Sequence, residues 1–293
     1  MDPKDLKDRE LVEMLFEAGD TLPEEHAREV ISRGDRMVRL LDDIVSDRYA
    51  WSEDLPAWWA VTHATYLLGA IGGRRVVFPL MRALRHADAL YNDWVLDMLP
   101  SILGSLGGHA AAELEAAARD KGDLFMARTV ALEGLAGWTV REPAAGSKVF
   151  PLVMSVFADA SEARAVRRGA GVILIDFKRA EAKEQLQSFA REEATILEYD
   201  PAYPAAFLPE DVKGWFGTPE QDTSFYATDW MMFYKAEEIA KRQERWRRED
   251  KRRGDASPEI EVMLHGSKTV LRDSPCPCGS GKKYKNCCMG KLH

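Results

Sequence analysis

Apolar residues recur along most of this 293-residue chain at spacings of three and four, the period of an amphipathic helix. The pattern comes in pairs of stretches: Trp58 to Ile71 leads to Arg74 to Arg85, Trp94 to Leu106 leads to Ala110 to Arg119, and Phe125 to Leu135 leads to Val149 to Phe157. Flanking pairs are Glu24 to Ser32 with Arg36 to Val45, and Glu162 to Phe177 with Ala180 to Glu193. Glycines stand between the partners. Leu67-Leu68-Gly69-Ala70-Ile71-Gly72-Gly73 matches Ile102-Leu103-Gly104-Ser105-Leu106-Gly107-Gly108 at an offset of 35 residues, and Leu132-Glu133-Gly134-Leu135-Ala136-Gly137 follows 30 residues on. Glycine adopts the left-handed conformation that ends a helix, so each G-x-x-G predicts a tight turn. About five helix–turn–helix units predict an all-α fold, an α-solenoid in which stacking buries faces that no single unit covers alone.

The pattern changes near Ala194. Asp200-Pro201-Ala202-Tyr203-Pro204 and Leu208-Pro209 interrupt regular helix, and glycines and Pro219 keep the chain irregular to about Thr223. This stretch is rich in aromatics (Tyr199, Tyr203, Phe207, Trp215, Phe216) and reads as a packed cover over the last repeat. A long helix is predicted from Thr223 or Ser224. Its first half docks through Tyr226, Trp230 and Phe233, and it is solvent-exposed from Lys241 onward. Gly254 to Pro258 reads as a linker, and Val262 to Leu271 as a small hairpin around Gly266-Ser267.

Charge divides the chain the same way. The net charge is −8, but residues 241–293 carry +7 and residues 1–240 carry −15. A basic tail on an acidic body suits a polyanion or an acidic partner. Arg242, Arg245, Arg247, Arg248, Lys251, Arg252, Arg253, Lys282, Lys283 and Lys285 are the candidate contacts, and a plain spacer helix is the competing reading. No apolar run approaches the ~18 residues that span a bilayer, and the charged N-terminus lacks a signal-peptide core. Both features lead us to expect a soluble, cytoplasmic protein. Within the body, His26, His63, His86 and His109 are scattered, and the aromatics read as core. Asp93 and Asp97 share a helix face and are where an active site in the solenoid groove would first be sought. No nucleotide-binding glycine loop or nucleophile–base motif is present, and a non-enzymatic role is expected.

All four cysteines fall in Pro275-Cys276-Pro277-Cys278-Gly279-Ser280-Gly281-Lys282-Lys283-Tyr284-Lys285-Asn286-Cys287-Cys288. Four thiolates suit one tetrahedral metal site, first of all Zn²⁺, and full protein ligation makes such a site structural. The lysines offset the negative charge of a four-thiolate site and lower the thiol pKa values. So short a segment has almost no core, so metal would supply most of its folding energy.

Two resemblances follow from these residues. The repeats resemble HEAT-type helix pairs over roughly 20–195, with Phe78-Pro79-Leu80 and Phe150-Pro151-Leu152 opening second helices. Residues 275–288 resemble the SEC-C motif at the C-terminus of the SecA translocase motor. Met289 stands where that family usually has a glycine, and Asn286 where a basic residue is common. The resemblance implies one zinc held by Cys276, Cys278, Cys287 and Cys288, and docking on protein partners, which for that family include the SecB chaperone and the ribosome. A group of bacterial proteins that join helical repeats to a terminal SEC-C motif is similar in layout. The expected organisation is a helical body (1–195), a cover and basic helix (196–253), a linker (254–274) and the motif (275–293). The expected function is an adaptor. A groove enzyme targeted by the motif, or an RNA-binding accessory protein using the basic helix, are the alternatives.

Overall fold

A computed structural model describes residues 2–200, 203–218 and 220–255, with side chains as far as Lys251. The linker, hairpin and cysteine motif read from the sequence lie outside these residues. The described residues are all-α, with thirteen α-helices joined by turns and short 3-10 segments. The helices are α1 (Asp8–Glu17), α2 (Glu24–Ser32), α3 (Asp35–Ser46), α4 (Trp59–Ile71), α5 (Val77–Leu90), α6 (Asp93–Ser105), α7 (Ala111–Arg119), α8 (Phe125–Arg141), α9 (Gly146–Ala158), α10 (Arg164–Asp176), α11 (Lys183–Tyr199), α12 (Pro209–Trp215) and α13 (Ala236–Asp255). From α2 to α11 they form the five consecutive pairs that the apolar periodicity predicts. They divide into two compact units: residues up to 86 with 229–255, and residues 87–228. The stretch read as cover and basic helix (196–253) therefore contributes to both.

In the first unit, α4 has no polar face: every residue from Trp59 to Gly69 is buried. Helices α1, α2 and α3 pack against it. The remaining face is closed by residues 230–234, the second of two 3-10 segments (Ser224–Ala227 and Trp230–Tyr234) that stand where one continuous helix was expected. Phe233 meets Tyr66 edge-on, with ring centroids 5.4 Å apart, and Trp59 at 5.8 Å. The helix expected from Thr223 begins only at Ala236. Asp229 takes the Met231 N–H, and Lys235 is extended, which breaks the continuity and turns Trp230 and Phe233 onto α4. Trp230 Nε1 donates to the Tyr66 carbonyl at 3.1 Å.

α13 is also docked further along than its charges suggest. Asp20 is buried between α1 and α2 and accepts hydrogen bonds from Gln243 Nε2 and Trp246 Nε1, each at 2.8 Å. Arg242 is 8% exposed. It donates to the Asp20 and Phe233 carbonyls at 2.7 and 2.8 Å, with its guanidinium over the Phe233 ring. Beside it His63 is buried, bonding Gly19 O through Nε2 at 2.7 Å and Tyr234 Oη through Nδ1 at 3.2 Å. Burial lowers its pKa to about 4, so His63 is neutral at neutral pH, donating to Gly19 and accepting from Tyr234. The short α1, hidden in the sequence by its charges, buries Leu11 and Leu15, and its Asp8 bonds Arg33 and Arg36.

The second unit is built on a close crossing of α6 and α8. The third glycine copy is not a turn. Gly134 and Gly137 lie inside α8, which runs on to Arg141. Gly107, like Gly72 in the first copy, does take positive φ and ends its helix. The reason for the difference is backbone contact: a Cβ on Gly104 would lie 2.7 Å from the Gly137 carbonyl carbon. Only glycine admits that approach. Pro151 is likewise interior, because a 3-10 turn at Pro143–Ala145 starts α9 at Gly146, ahead of the proline. Pro79 does lie in the first turn of α5.

Buried ions join the later helices. Arg128 and Glu162, both 3% exposed at the side chain, pair while Arg128 Nε and Nη2 donate to the Ala118 carbonyl at the end of α7. The fully buried Glu193 accepts from Arg164, Arg168 and Tyr203. Phe207 is buried against Gly171 of α10 and beside Phe189 of α11, with the two rings tilted and 5.9 Å apart, whereas Tyr199 and Trp215 of the same aromatic stretch are exposed.

Gly104→Ala is expected to lower stability by about 1–3 kcal/mol, because the contact it overpacks is backbone. Gly214→Ala, with nothing within 4 Å of the added Cβ, should change it by less than ~0.5 kcal/mol. Urea unfolding followed by circular dichroism compares the two. Asp20→Ala should cost ~3 kcal/mol, because Arg242 stays buried without its carboxylate, and should render α13 sensitive to trypsin. Unchanged protection would show that α13 is held elsewhere.

Candidate functional site

Three consecutive first helices of the pairs in the second unit each bring a carboxylate to one region: Asp97 from α6, Glu133 from α8 and Asp176 from the end of α10. Asp176 accepts a hydrogen bond from Tyr226 Oη at 2.7 Å. Tyr226 is 1% exposed, and the chain around it is clasped in place. Arg141 Nη1 donates to its carbonyl at 3.1 Å, and Ser101 Oγ to that of Phe225 at 3.1 Å.

Crowding and burial make these carboxyls weak acids. Burial, with Asp176 and Asp97 nearby, pushes Glu133 up to about 8. Burial pushes Asp176 up to about 6, against the Tyr226 hydrogen bond and helped by Asp222. Asp97 is raised by burial and by Asp93 four residues before it. Tyr226 is held far above its ordinary range by burial and the Asp176 charge, so it remains a donor. The cluster can hold and exchange protons near neutral pH. Among the described residues no group of three or more His, Cys, Asp or Glu is placed to hold a metal ion. The sequence singled out Asp93 and Asp97, which one helix brings together. It missed Glu133 and Asp176, whose approach is tertiary; the available signal was a glutamate inside the apolar Leu132-Glu133-Gly134-Leu135 repeat.

The candidate polyanion contacts separate into groups. Arg242 is withdrawn into the first unit and is no surface cation, because Asp20 and two carbonyls hold it there. Arg245, Arg247 and Arg248 are exposed on α13 but pair within the helix: Arg245 with Glu249, and Arg247 and Arg248 with Glu244. Lys241 pairs with Glu238, and Lys251 is exposed. Such pairs support a helix by a few tenths of a kcal/mol each and reduce its free positive charge. Arg252 and Arg253 belong to α13. Lys282, Lys283, Lys285 and the ligand candidates Cys276, Cys278, Cys287 and Cys288 lie outside the described residues. Trp246, on the stretch expected to be solvent-exposed, is turned onto Asp20. No helix among the described residues is long and apolar enough to cross a membrane.

Comparison with known proteins assigns the cysteine stretch. Residues 274–290 match the SEC-C motif. The protein translocase subunit SecA of Azobacteroides pseudotrichonymphae genomovar. CFP2 is 82% identical over 22 residues, 8% of this chain and 2% of that protein. SecA of Desulforudis audaxviator (strain MP104C) is 75% identical over 32 residues, 11% of this chain and 4% of its own. SecA of Geotalea uraniireducens (strain Rf4) is 43% identical over 61 residues, 20% and 7% respectively. The chain thus spans only a few per cent of the length of these relatives. No solved structure matches it.

The raised carboxyls set a direction for pH. Between the ordinary glutamate value of 4.5 and about 8, the folded chain holds a proton on Glu133 that the unfolded chain has lost. Folding takes up protons there, so this contribution to stability is present at the acidic end and falls as pH rises. Glu133→Gln should therefore raise the urea midpoint at pH 8 and leave that at pH 5 nearly unchanged. Equal effects at both pH values would contradict the reading.

Proposed function

We propose that this protein is a non-enzymatic adaptor that carries a zinc-binding docking module at its C-terminus. The observation that carries the reading is the match of residues 274–290 to the SEC-C motif. The donor set fits zinc: Cys276, Cys278, Cys287 and Cys288 supply four thiolates in one short segment, and Lys282, Lys283 and Lys285 offset their charge. Such a fully ligated ion would leave no position for a substrate and would serve to fold the segment.

The remainder of the reading is a division of labour. Residues 1–195 are the helical repeat body, 196–253 the cover and basic helix, 254–274 the linker, and 275–293 the docking module. The body offers helix-pair surface to a protein partner, and the tail brings that partner to a second macromolecule. The relatives that share the motif are subunits of a protein translocase, so secretion or chaperone machinery is the first class of target, with the ribosome next, and the cytoplasm the compartment. α13 supports this arrangement because it is anchored on Asp20, so the tail starts from a fixed point. The pairing of its arginines makes the helix a poor polyanion site in isolation, which favours a protein target over RNA.

The test is one preparation with two readouts. The intact protein should hold one zinc per chain and capture a partner from bacterial cytosol or co-sediment with ribosomes. Cys287→Ser with Cys288→Ser should lose the metal and the partner together while circular dichroism of the body is unchanged. Retention of zinc would refute the ligand assignment. Loss of zinc with binding intact would remove the motif from docking.

A further inference from the structure

The second unit contains a cavity of about 290 Å³ between the end of α8, the start of α9, the end of α10 and the loop at 220–223. Its apolar wall includes Val140, Phe150 and Phe177. The two phenyl rings lie 5.1 Å apart at 54°, and both are nearly buried, 6% and 7% exposed, so only a small part of each reaches the cavity. Its polar members are Arg179, Gln221 and Thr223. Gln221 is fixed by donating Nε2 to the Phe177 carbonyl at 3.3 Å.

Arg179 is the group that gives the cavity a chemistry. Its guanidinium carbon lies over Phe150, 4.4 Å from the ring centroid, a cation–π contact that holds it at the aromatic wall. Its Nε donates to Glu181 at 2.8 Å. The Arg179–Glu181 pair is 35% and 51% exposed, respectively. An exposed pair contributes at most ~1 kcal/mol, so a competing carboxylate can take the place of Glu181 at little cost. A planar guanidinium recognises a carboxylate through two parallel hydrogen bonds. The volume is at the lower end of the roughly 300–1,000 Å³ typical of small-molecule sites. One ring with its acid group fits such a space, and a nucleotide does not.

We propose that this cavity is a binding site for a small aromatic carboxylate, with the ring against Phe150 and Phe177 and the carboxylate on Arg179 in exchange for Glu181. The site adjoins the carboxylate cluster, since Phe177 follows Asp176 and its ring lies 5.0 Å from that of Tyr226, and it does not depend on the adaptor reading.

Benzoate is the probe, titrated into the full-length protein by calorimetry or by NMR of the protein amides. Benzoate should bind saturably, and acetate and benzamide about tenfold more weakly or not at all, the factor that ~1.4 kcal/mol of lost contact gives. Arg179→Gln should weaken benzoate by about tenfold, within the range for a charge-assisted pair. Glu181→Gln should tighten it, because the internal competitor is removed. Thermal unfolding of both variants should match the parent. Benzamide binding as well as benzoate, or benzoate affinity indifferent to both substitutions, would overturn the proposal.

Discussion

Helix α4 is buried on every side from Trp59 to Gly69, and that burial is the constraint on which the first unit depends. A helix of this kind is stable in water only when neighbours cover its whole circumference. Helices α1 to α3 close part of it, and the rest is closed by Trp230, Phe233 and Tyr234, some 160 residues further along the chain. The C-terminal segment is thereby made part of the core. The charges that make α13 look like a free solvent helix do not free it, because Asp20 offers a buried acceptor to Gln243 and Trp246, and Arg242 donates to the Asp20 carbonyl and pairs with its carboxylate.

The second unit depends on a different kind of contact. Gly104 and Gly137 let α6 and α8 meet backbone to backbone, and no side chain mediates the approach. Buried ions then specify how the later helices meet. Arg128 ends α7 and pairs with Glu162, while Glu193 gathers two arginines and a tyrosine. Removing one member of such a group leaves an uncompensated charge, so these joints are unforgiving to substitution even where their net contribution is small. The carboxylate cluster is the reverse case. Among the described residues Asp97, Glu133 and Asp176 are raised by burial and by the charge of nearby carboxylates, with Lys178 opposing the rise only at Asp176.

Electrostatics also bears on the functional division. The chain is acidic through residue 240 and basic beyond it. Much of the positive charge on α13 is paired with carboxylates of the same helix, and residues 275–293 contain four lysines and no acidic residue. Under the proposed adaptor role, a tail with its own positive charge would suit a partner that the acidic body repels.

What the sequence determined is whatever depends on local spacing. The helix pairs follow from the 3.6-residue period, the helix ends at Gly72 and Gly107 from glycine at the end of an apolar stretch, and the SEC-C assignment from four cysteines within a short segment. What only the tertiary structure decided are the contacts between residues far apart in the chain. Gly134 and Gly137 carry the same local pattern as Gly69 and Gly72, yet they sit inside a helix because α6 crosses there. Glu133 and Asp176 become weak acids because neighbouring helices bring them together. Arg242 and Trp246 face inward because Asp20, more than 200 residues earlier, is buried opposite them. Periodicity states which face of a helix is apolar. It does not state which distant element covers that face, and at each of these positions the identity of that element sets the chemistry.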